Sequence, residues 1–208
     1  MTIRIKICGI THPDDATMAA DAGADLIGLN FVPGSQRQID VAVAADIADC
    51  VKGRVERVGI FQDSEPEEIA RVLRRVDLDR LQFHGDETEE EVEEVDLPVI
   101  KAIRGADLEA ANAYPGTILL LDHPTQGGGG GKQWQWSEAS LLIERGHDVI
   151  LAGGLDPDNV GGVLSDLGDL LPWGVDVATG VEGADRRKDP DKVVRFIEAV
   201  RRAESADE

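Results

Sequence analysis

Residues 148–162 read DVILAGGLDPDNVGG, and this stretch decides the fold class. It opens with a short β-branched and aliphatic run, continues through a glycine pair, and then reaches an Asp-Pro-Asp segment that is typical of a helix start. A strand that leads through a tight glycine turn into a helix is one βα unit of a parallel sheet. The stretch therefore predicts an α/β protein assembled from such units.

The same unit recurs along the whole chain, because short aliphatic runs alternate with amphipathic stretches from one end to the other. Further helix starts agree: two aspartates follow Pro13, and Ser64 with Glu67 forms a predicted capping box around Pro66. Eight such units predict a single-domain (β/α)8 TIM barrel over residues 1–208. The eight predicted strands cover residues 4–8, 26–30, 56–61, 80–83, 99–102, 117–121, 148–152 and 174–177.

Net charge and hydropathy exclude several classes of partner. The chain carries 41 acidic and 21 basic residues, a formal charge of -20, and such a field repels nucleic acid and anionic membranes. The longest apolar run, residues 118–121, is too short to cross a bilayer, and the first residues lack the pattern of a secretory signal. We therefore expect a cytoplasmic protein.

The acidic excess is dispersed, which favours adaptation to high salt over an ordinary acidic enzyme.

The two cysteines, Cys8 and Cys50, lie in different local settings. A cytoplasmic compartment keeps thiols reduced, so we expect no bridge between them. Cys50 ends a helical pattern and is predicted to be an inert packing residue. Cys8 lies where the first strand ends, beside Gly9, and is the more interesting of the two.

Barrel active sites are built at the carboxyl ends of the strands, and few reactive side chains fall there. They are Cys8 after strand one, Arg37 after strand two, His84 after strand four and Asp122 after strand six. A thiol and a carboxyl on opposite sides of the barrel mouth suit a proton shuttle around a small sugar. Either alone is more often structural, the cysteine as a packed apolar residue and the aspartate as a loop cap.

Glycine turns follow strands seven and eight, at Gly153 and Gly154 and at Thr179 and Gly180. Small residues let backbone N–H groups approach an anion, and phosphate commonly binds at these two loops of a barrel. Either turn alone is explained as well by a tight connection. Both together favour a phosphorylated substrate.

A glycine run at 127–131 is either a flexible connector or a loop that closes over the substrate.

A buried ion pair is predicted beneath this mouth. Lys6 shares a strand face with Cys8 by the two-residue period, so it should point into the barrel. Closure places strand eight beside strand one, and Asp176 lies between two valines that should face outward. We therefore expect Lys6 to pair with Asp176 and, as a positive charge near Cys8, to favour the thiolate.

Several motifs, in order along the chain, carry a resemblance. The motifs are Lys6-Ile7-Cys8-Gly9-Ile10-Thr11, Gly23-Ala24-Asp25, Arg57-Val58-Gly59-Ile60-Phe61, Leu81-Gln82-Phe83-His84-Gly85-Asp86-Glu87, Leu120-Leu121-Asp122, Ala152-Gly153-Gly154-Leu155, Val175-Asp176-Val177 and Gly180-Val181-Glu182 with Lys188-Asp189. On these motifs the chain resembles the phosphoribosylanthranilate isomerase family over essentially its whole length.

The resemblance implies a function and a set of roles. The activity is an aldose-to-ketose isomerisation, an Amadori rearrangement of N-(5-phosphoribosyl)anthranilate in the third step of tryptophan biosynthesis. Cys8 corresponds to the general base, Asp122 to the general acid, and Arg37 to the residue that contacts the anthranilate carboxylate; we place His84 with Arg37 among the substrate-binding residues. The expected partner is a small-molecule substrate, with no metal and no cofactor, and the expected assembly is a monomer or homodimer.

Two alternatives stay open at this point. One is another phosphate-binding barrel of tryptophan or histidine biosynthesis, but the histidine-pathway isomerase relies on two aspartates where this chain has Cys8. The other is a non-catalytic barrel that binds a sugar phosphate, which the joint presence of Cys8, Arg37 and Asp122 disfavours.

Overall fold

The structure is a computed structural model that describes residues 2–123 and 135–205. Its eight parallel strands pair in chain order, and β1 pairs with β8 to close the barrel. The predicted (β/α)8 TIM barrel is thereby confirmed. The strands are β1 (Arg4–Ile7), β2 (Leu26–Asn30), β3 (Glu56–Phe61), β4 (Arg80–Phe83), β5 (Val99–Arg104), β6 (Ile118–Asp122), β7 (Val149–Leu151) and β8 (Gly174–Val177).

Four strands have the predicted bounds, and the other four differ by one or two residues at one or both ends. Cys8 is the first residue after β1 rather than its last, and β5 runs on to Arg104. The end of β6 is Asp122, which pairs with Arg104 across the ladder. These ends are fixed by pairing with neighbouring strands, which a pattern within one segment does not contain.

The helices lie between the strands, with bounds α1 (Pro13–Ala22), α2 (Val41–Cys50), α3 (Pro66–Leu73), α4 (Glu89–Glu93), α5 (Leu108–Asn112), α6 (Ser140–Glu144), α7 (Val160–Asp166) and α8 (Pro190–Ser205). Short 3₁₀ turns precede α6 (Trp136–Ala139) and follow β8 (Thr179–Val181).

The predicted capping box of Ser64 and Glu67 is wrong. Because Pro66 occupies the first turn of α3, the cap position falls on Glu65, and the Ser64 hydroxyl donates instead to the Gln62 carbonyl at 3.4 Å. A complete capping box does begin α4. There the Glu91 amide donates to Thr88 Oγ1 at 3.3 Å, and the Thr88 amide donates to Glu91 Oε2 at 2.7 Å.

Alternation along each strand divides the apolar residues into two layers. One set faces the barrel axis and the other packs beneath the helices, where the larger core lies. The axial set consists of Leu26, Val58, Ile100, Ala102, Ile118, Leu120, Ile150 and Ala152. The barrel interior is therefore a packed core below the mouth, and polar side chains at its top are positioned by a rigid wall.

Trp173 closes the opposite end of the barrel, where it packs against the axial set. The guanidinium groups of Arg4 and Arg80 lie 4.8 and 5.5 Å from its ring centroid, and Glu56 pairs with both arginines. This end therefore contributes to stability and leaves the carboxyl ends of the strands for the site.

Three further predictions are settled or set aside by the structure. Cys50 is exposed at the last position of α2, so the prediction that it is a packing residue is wrong. The glycine run at 127–131 lies outside the described residues. Within 2–123 and 135–205, the helices are all too short or too polar to span a membrane.

Candidate active site

A cavity of about 730 Å³ opens at the carboxyl ends of the strands. It brings together every predicted site residue except Lys6, which is buried below it. The predicted residues that line it are Cys8, Arg37, His84, Asp122, Gly153, Gly154, Asp176, Thr179 and Gly180. Residues from six of the eight strands and the turns after them therefore converge on one space.

Cys8 is fixed in the mouth by its backbone and by a glycine neighbour. Its amide donates to the Val177 carbonyl at 2.8 Å, which continues the pairing of β1 with β8 past the strand end. A Cβ on Gly28 would come within 3.1 Å of the Cys8 sulfur, so the absence of a side chain on β2 makes room for the thiol.

Lys6 and Asp176 form the ion pair that the strand pattern predicts. The two residues are register partners across β1 and β8, and Lys6 Nζ donates to Asp176 Oδ1 at 2.7 Å. The lysine side chain is 1% exposed. Burial of the ammonium lowers the pKa of Lys6, but the charges of Asp176 and Cys8 outweigh this and hold the pKa above its ordinary value.

The expected effect of this pair on Cys8 is wrong in sign. Burial of the thiol raises the pKa of Cys8, and the carboxylate of Asp176 raises it further. Lys6, Lys188 and Arg37 lower it, but the pKa of Cys8 stays above its ordinary value. Because Asp176 neutralises the charge of Lys6, the pair presents little net positive charge to the thiol.

Arg37 is held by a carboxylate that sequence reasoning did not assign. Its Nε and Nη2 donate to Glu182 Oε1 and Oε2 at 2.6 and 2.9 Å, and Nη2 also donates to Thr179 Oγ1 at 2.9 Å. The side chain lies over Gly9, where a Cβ would come within 2.3 Å of the arginine Cδ. The Nε–Nη2 edge of the guanidinium is thus occupied, and Nη1 has no partner among the described residues.

Lys188 is a second buried cation of the site. Its ammonium donates to Glu182 Oε1 at 3.0 Å and to the Ala178 carbonyl at 3.1 Å. Burial lowers the pKa of Lys188, against the attraction of Glu182. Burial also raises the pKa of Glu182, but Arg37 and Lys188 hold it below its ordinary value. In the sequence, the feature that could have identified Glu182 and Lys188 as site residues is their position just beyond the glycine turn after β8.

Asp122, at the end of β6, is oriented by hydrogen bonds to both carboxylate oxygens. The His123 amide donates to Oδ1 at 2.8 Å, and His84 Nε2 lies 3.2 Å from Oδ2. His84 Nδ1 in turn lies 3.0 Å from Gln82 Nε2. His84 therefore lines the cavity as expected, and its contacts within the described residues run to Asp122 and Gln82.

The two glycine turns lie against each other at one side of the mouth. Gly153 and Gly154 have φ of 77° and 85°, a left-handed backbone that favours glycine. A Cβ on Gly180 would come within 2.1 Å of the Leu155 carbonyl oxygen, so the turn after β8 packs directly on the turn after β7. The amides of Gly153 and Gly154 donate to no acceptor within the described residues. Such a pair of turns can receive an anion.

The described ranges contain no group of three or more histidine, cysteine, aspartate or glutamate side chains placed to hold a metal ion. The groups available for chemistry are a thiol, a carboxyl, a guanidinium and the backbone amides of two glycine turns around one cavity.

Comparison with known proteins agrees with this geometry. The family model described as N-(5'phosphoribosyl)anthranilate (PRA) isomerase matches residues 5–199. A relative named N-(5'-phosphoribosyl)anthranilate isomerase, from Trichlorobacter lovleyi, is 40% identical over 206 residues, which are 97% of this chain and 99% of that protein.

Solved structures agree as well. Monomers generated from the dimeric phosphoribosylanthranilate isomerase of Thermotoga maritima superpose with a TM-score of 0.83 at 34% identity, over 96% of this chain and 99% of that one. An isomerase in complex with reduced 1-(o-carboxyphenylamino)-1-deoxyribulose 5-phosphate has a TM-score of 0.85, with the same identity and the same coverage.

Proposed function

We propose, on the premise that this chain belongs to the N-(5'-phosphoribosyl)anthranilate isomerase family, that Cys8 is its general base and Asp122 its general acid. The chain is an isomerase of tryptophan biosynthesis, which converts N-(5'-phosphoribosyl)anthranilate into 1-(2-carboxyphenylamino)-1-deoxyribulose 5-phosphate. One observation carries the assignment of roles. Cys8, Asp122, Arg37 and both glycine turns line the same cavity.

The two ends of the substrate differ in chemistry and fit different parts of this cavity. The phosphate is proposed to bind the backbone amides of Gly153 and Gly154, beside Thr179 and Gly180. The anthranilate carboxylate is proposed to bind Arg37 through Nη1, since Nε and Nη2 already donate to Glu182 and Thr179. These contacts leave the ribose between Cys8 and Asp122. The solved complex with the reduced ribulose phosphate supports a ligand of this size.

The chemistry needs one acid and one base on either side of the sugar. Asp122 gives a proton to the ribose ring oxygen, the C1′–O bond breaks, and a Schiff base forms on the anthranilate nitrogen. Cys8, as thiolate, then takes the proton from C2′, and the C–H electron pair neutralises the iminium. The resulting enol becomes the ketone when its hydroxyl loses a proton and C1′ gains one. Because β6 and β1 are separated by two strands, the two groups can flank the ribose.

His84 stays a predicted substrate-binding residue, since it lines the cavity beside Asp122. We also propose that residues 1–208 act as one cytoplasmic domain, as a monomer or a homodimer. The dimeric description of the Thermotoga maritima isomerase supports the second of these assemblies.

The experiment follows the loss of anthranilate fluorescence after the protein is mixed with freshly made phosphoribosylanthranilate. Arg37→Ala should raise KM strongly, because the carboxylate loses its cation, while Arg202→Ala, on an exposed arginine of α8, should leave KM unchanged. An unaltered KM for Arg37→Ala would remove Arg37 from the substrate site.

A further inference from the structure

A line of three side chains, Gln82, His84 and Asp122, runs from the barrel interior to the proposed acid. Gln82 and His84 lie two residues apart at the end of β4, so both point to the axis. Gln82 Nε2 lies 3.0 Å from His84 Nδ1, and His84 Nε2 lies 3.2 Å from Asp122 Oδ2. The histidine thus connects a buried amide to a carboxylate that the mechanism uses.

The amide decides which ring nitrogen of His84 carries the proton. An NH₂ group only donates, so Nδ1 must accept and the proton resides on Nε2, which then donates to Asp122. The opposite orientation of the amide would place its two N–H donors at a position that has no hydrogen-bond partner among the described residues. Two unmatched buried donors cost more free energy than one unmatched carbonyl, which favours the orientation in the structure.

Gln82 is not explained by stability. The side chain is 1% exposed, and its Oε1 is the one buried side-chain nitrogen or oxygen atom without a hydrogen-bond partner among the described residues. A buried orphan acceptor destabilises the fold, and an apolar side chain of the same shape would avoid that cost. A residue at the wall of an active site that destabilises the fold in this way is a candidate for a functional role.

The backbone that carries His84 is also held from outside the barrel. Glu87 accepts hydrogen bonds from the amides of Asp63, at 2.8 Å, and Gly85, at 2.9 Å. The buried Lys101 donates to Glu87 at 3.0 Å and to the Gly85 carbonyl at 2.6 Å. The turn after β4 is therefore fixed to the turn after β3, and the position of the imidazole ring follows from a rigid frame.

We propose that Gln82 and His84 are positioning residues for the general acid. Gln82 holds His84 in the tautomer with the proton on Nε2, and His84 holds the Asp122 carboxyl in the direction of the ribose ring oxygen. The inference rests on the proposed role of Asp122. It assigns to Gln82 a role in turnover that needs no substrate contact, and to His84 a role beyond substrate binding.

Gln82→Met is the most direct test, because methionine keeps the length of the side chain and removes both amide groups. We expect kcat to fall about tenfold or more, with KM within about threefold, as for loss of a group that orients a catalytic residue. The melting temperature should be equal or higher, since the orphan oxygen is gone. Unchanged kcat, or a fall in kcat that only parallels a fall in melting temperature, would overturn the proposal.

The histidine itself is tested with a matched control. His84→Ala should lower kcat at least as much as Gln82→Met, whereas His147→Ala, at the other end of the barrel before β7, should leave kcat unchanged. Added imidazole should restore part of the activity of His84→Ala and none of that of Gln82→Met. Full activity of His84→Ala would contradict the proposal.

A spectroscopic measurement gives a decisive result on the unmodified protein alone. In ¹⁵N-labelled protein at a pH where His84 is neutral, long-range ¹H–¹⁵N correlations should show the proton on Nε2 in the unmodified protein and a mixture of tautomers in Gln82→Met. A proton on Nδ1 in the unmodified protein would overturn the proposal.

The failure of this inference can be told apart from the failure of the proposed function. If Asp122→Asn turns over normally, the assignment of the acid itself is wrong. If Asp122→Asn is inactive and Gln82→Met is fully active, Asp122 stays the acid and only the positioning role is wrong. In the Asp122→Asn background, Gln82→Met should lower the residual rate no further, because the two residues act as one unit.

Discussion

Arg37 and Glu182 are joined by two hydrogen bonds, 2.6 Å from Nε to Oε1 and 2.9 Å from Nη2 to Oε2. They lie 145 residues apart in the chain and belong to the turns after β2 and β8. The carboxylate occupies one edge of the guanidinium and directs the other edge toward the cavity. Glu182 thereby orients the cation that is proposed to bind the substrate carboxylate.

Glu182→Gln tests this orientation. An amide accepts from only one of the two N–H groups, so Arg37 should lose its fixed direction and KM should rise about tenfold, with kcat within about threefold. Glu198→Gln, an exposed pair partner on α8, is the control and should leave both constants unchanged. A Glu182→Gln variant with normal KM would mean that Arg37 needs no such support.

Gly180→Ala tests the phosphate turns. An added Cβ would lie 2.1 Å from the Leu155 carbonyl oxygen, so the two turns must separate and their amides should no longer converge on one anion. Affinity for inorganic phosphate, measured by calorimetry, should fall about tenfold or more. Gly162→Ala, in α7, is the matched control, since no atom of the described residues lies within 4 Å of the added Cβ, and it should bind phosphate normally. Equal affinity of the two variants would argue against phosphate at these turns.

The thiol of Cys8 should titrate above an ordinary cysteine. Its raised pKa, caused first by burial and then by Asp176, means that the thiolate fraction at neutral pH is smaller than in a free thiol and grows with pH. In a Cys50→Ser background, which removes the exposed thiol, the rate of alkylation should rise with pH with a midpoint above about 8.5. A midpoint below that value would reverse the sign of this conclusion.

Stability and activity should rise with salt. The formal charge of -20 is spread over the surface, and α4 alone places Glu89, Glu90, Glu91 and Glu93 on an exposed turn. Screening of these repulsions by molar potassium chloride should raise the melting temperature relative to dilute buffer. An identical melting temperature in both conditions would refute adaptation to high salt.

The sequence predicts the barrel and the composition of its mouth because both follow from local rules. Alternating aliphatic runs define the strands, and in a parallel barrel the ends of all strands meet at one rim, so Cys8, Arg37 and Asp122 had to lie near one another. The contact of Lys6 with Asp176 followed from the two-residue period together with closure of the ring.

What sequence reasoning missed depends on distances between turns and on burial. The pairing of Arg37 with Glu182 is decided by how two loops fold toward each other, and no spacing along the chain contains that information. The direction of the Cys8 pKa was wrong because charges could be counted from the sequence, whereas the enclosure of the thiol could not. The predicted cap position of α3 was wrong by one residue, since Pro66 fixes the start of the helix and the cap falls on Glu65 rather than Ser64.

The turnover of two variants, Cys8→Ser and Asp122→Asn, tests the central claim most directly. A serine hydroxyl has too high a pKa to act as a base, and an asparagine has no proton to give, so each variant should lose at least about a hundredfold in kcat. The glycine turns and Arg37 are intact in both, so affinity for reduced 1-(o-carboxyphenylamino)-1-deoxyribulose 5-phosphate should stay within about tenfold. Near-normal kcat in either variant would contradict the account and move the search for the acid or base to His84, Asp176 or His123.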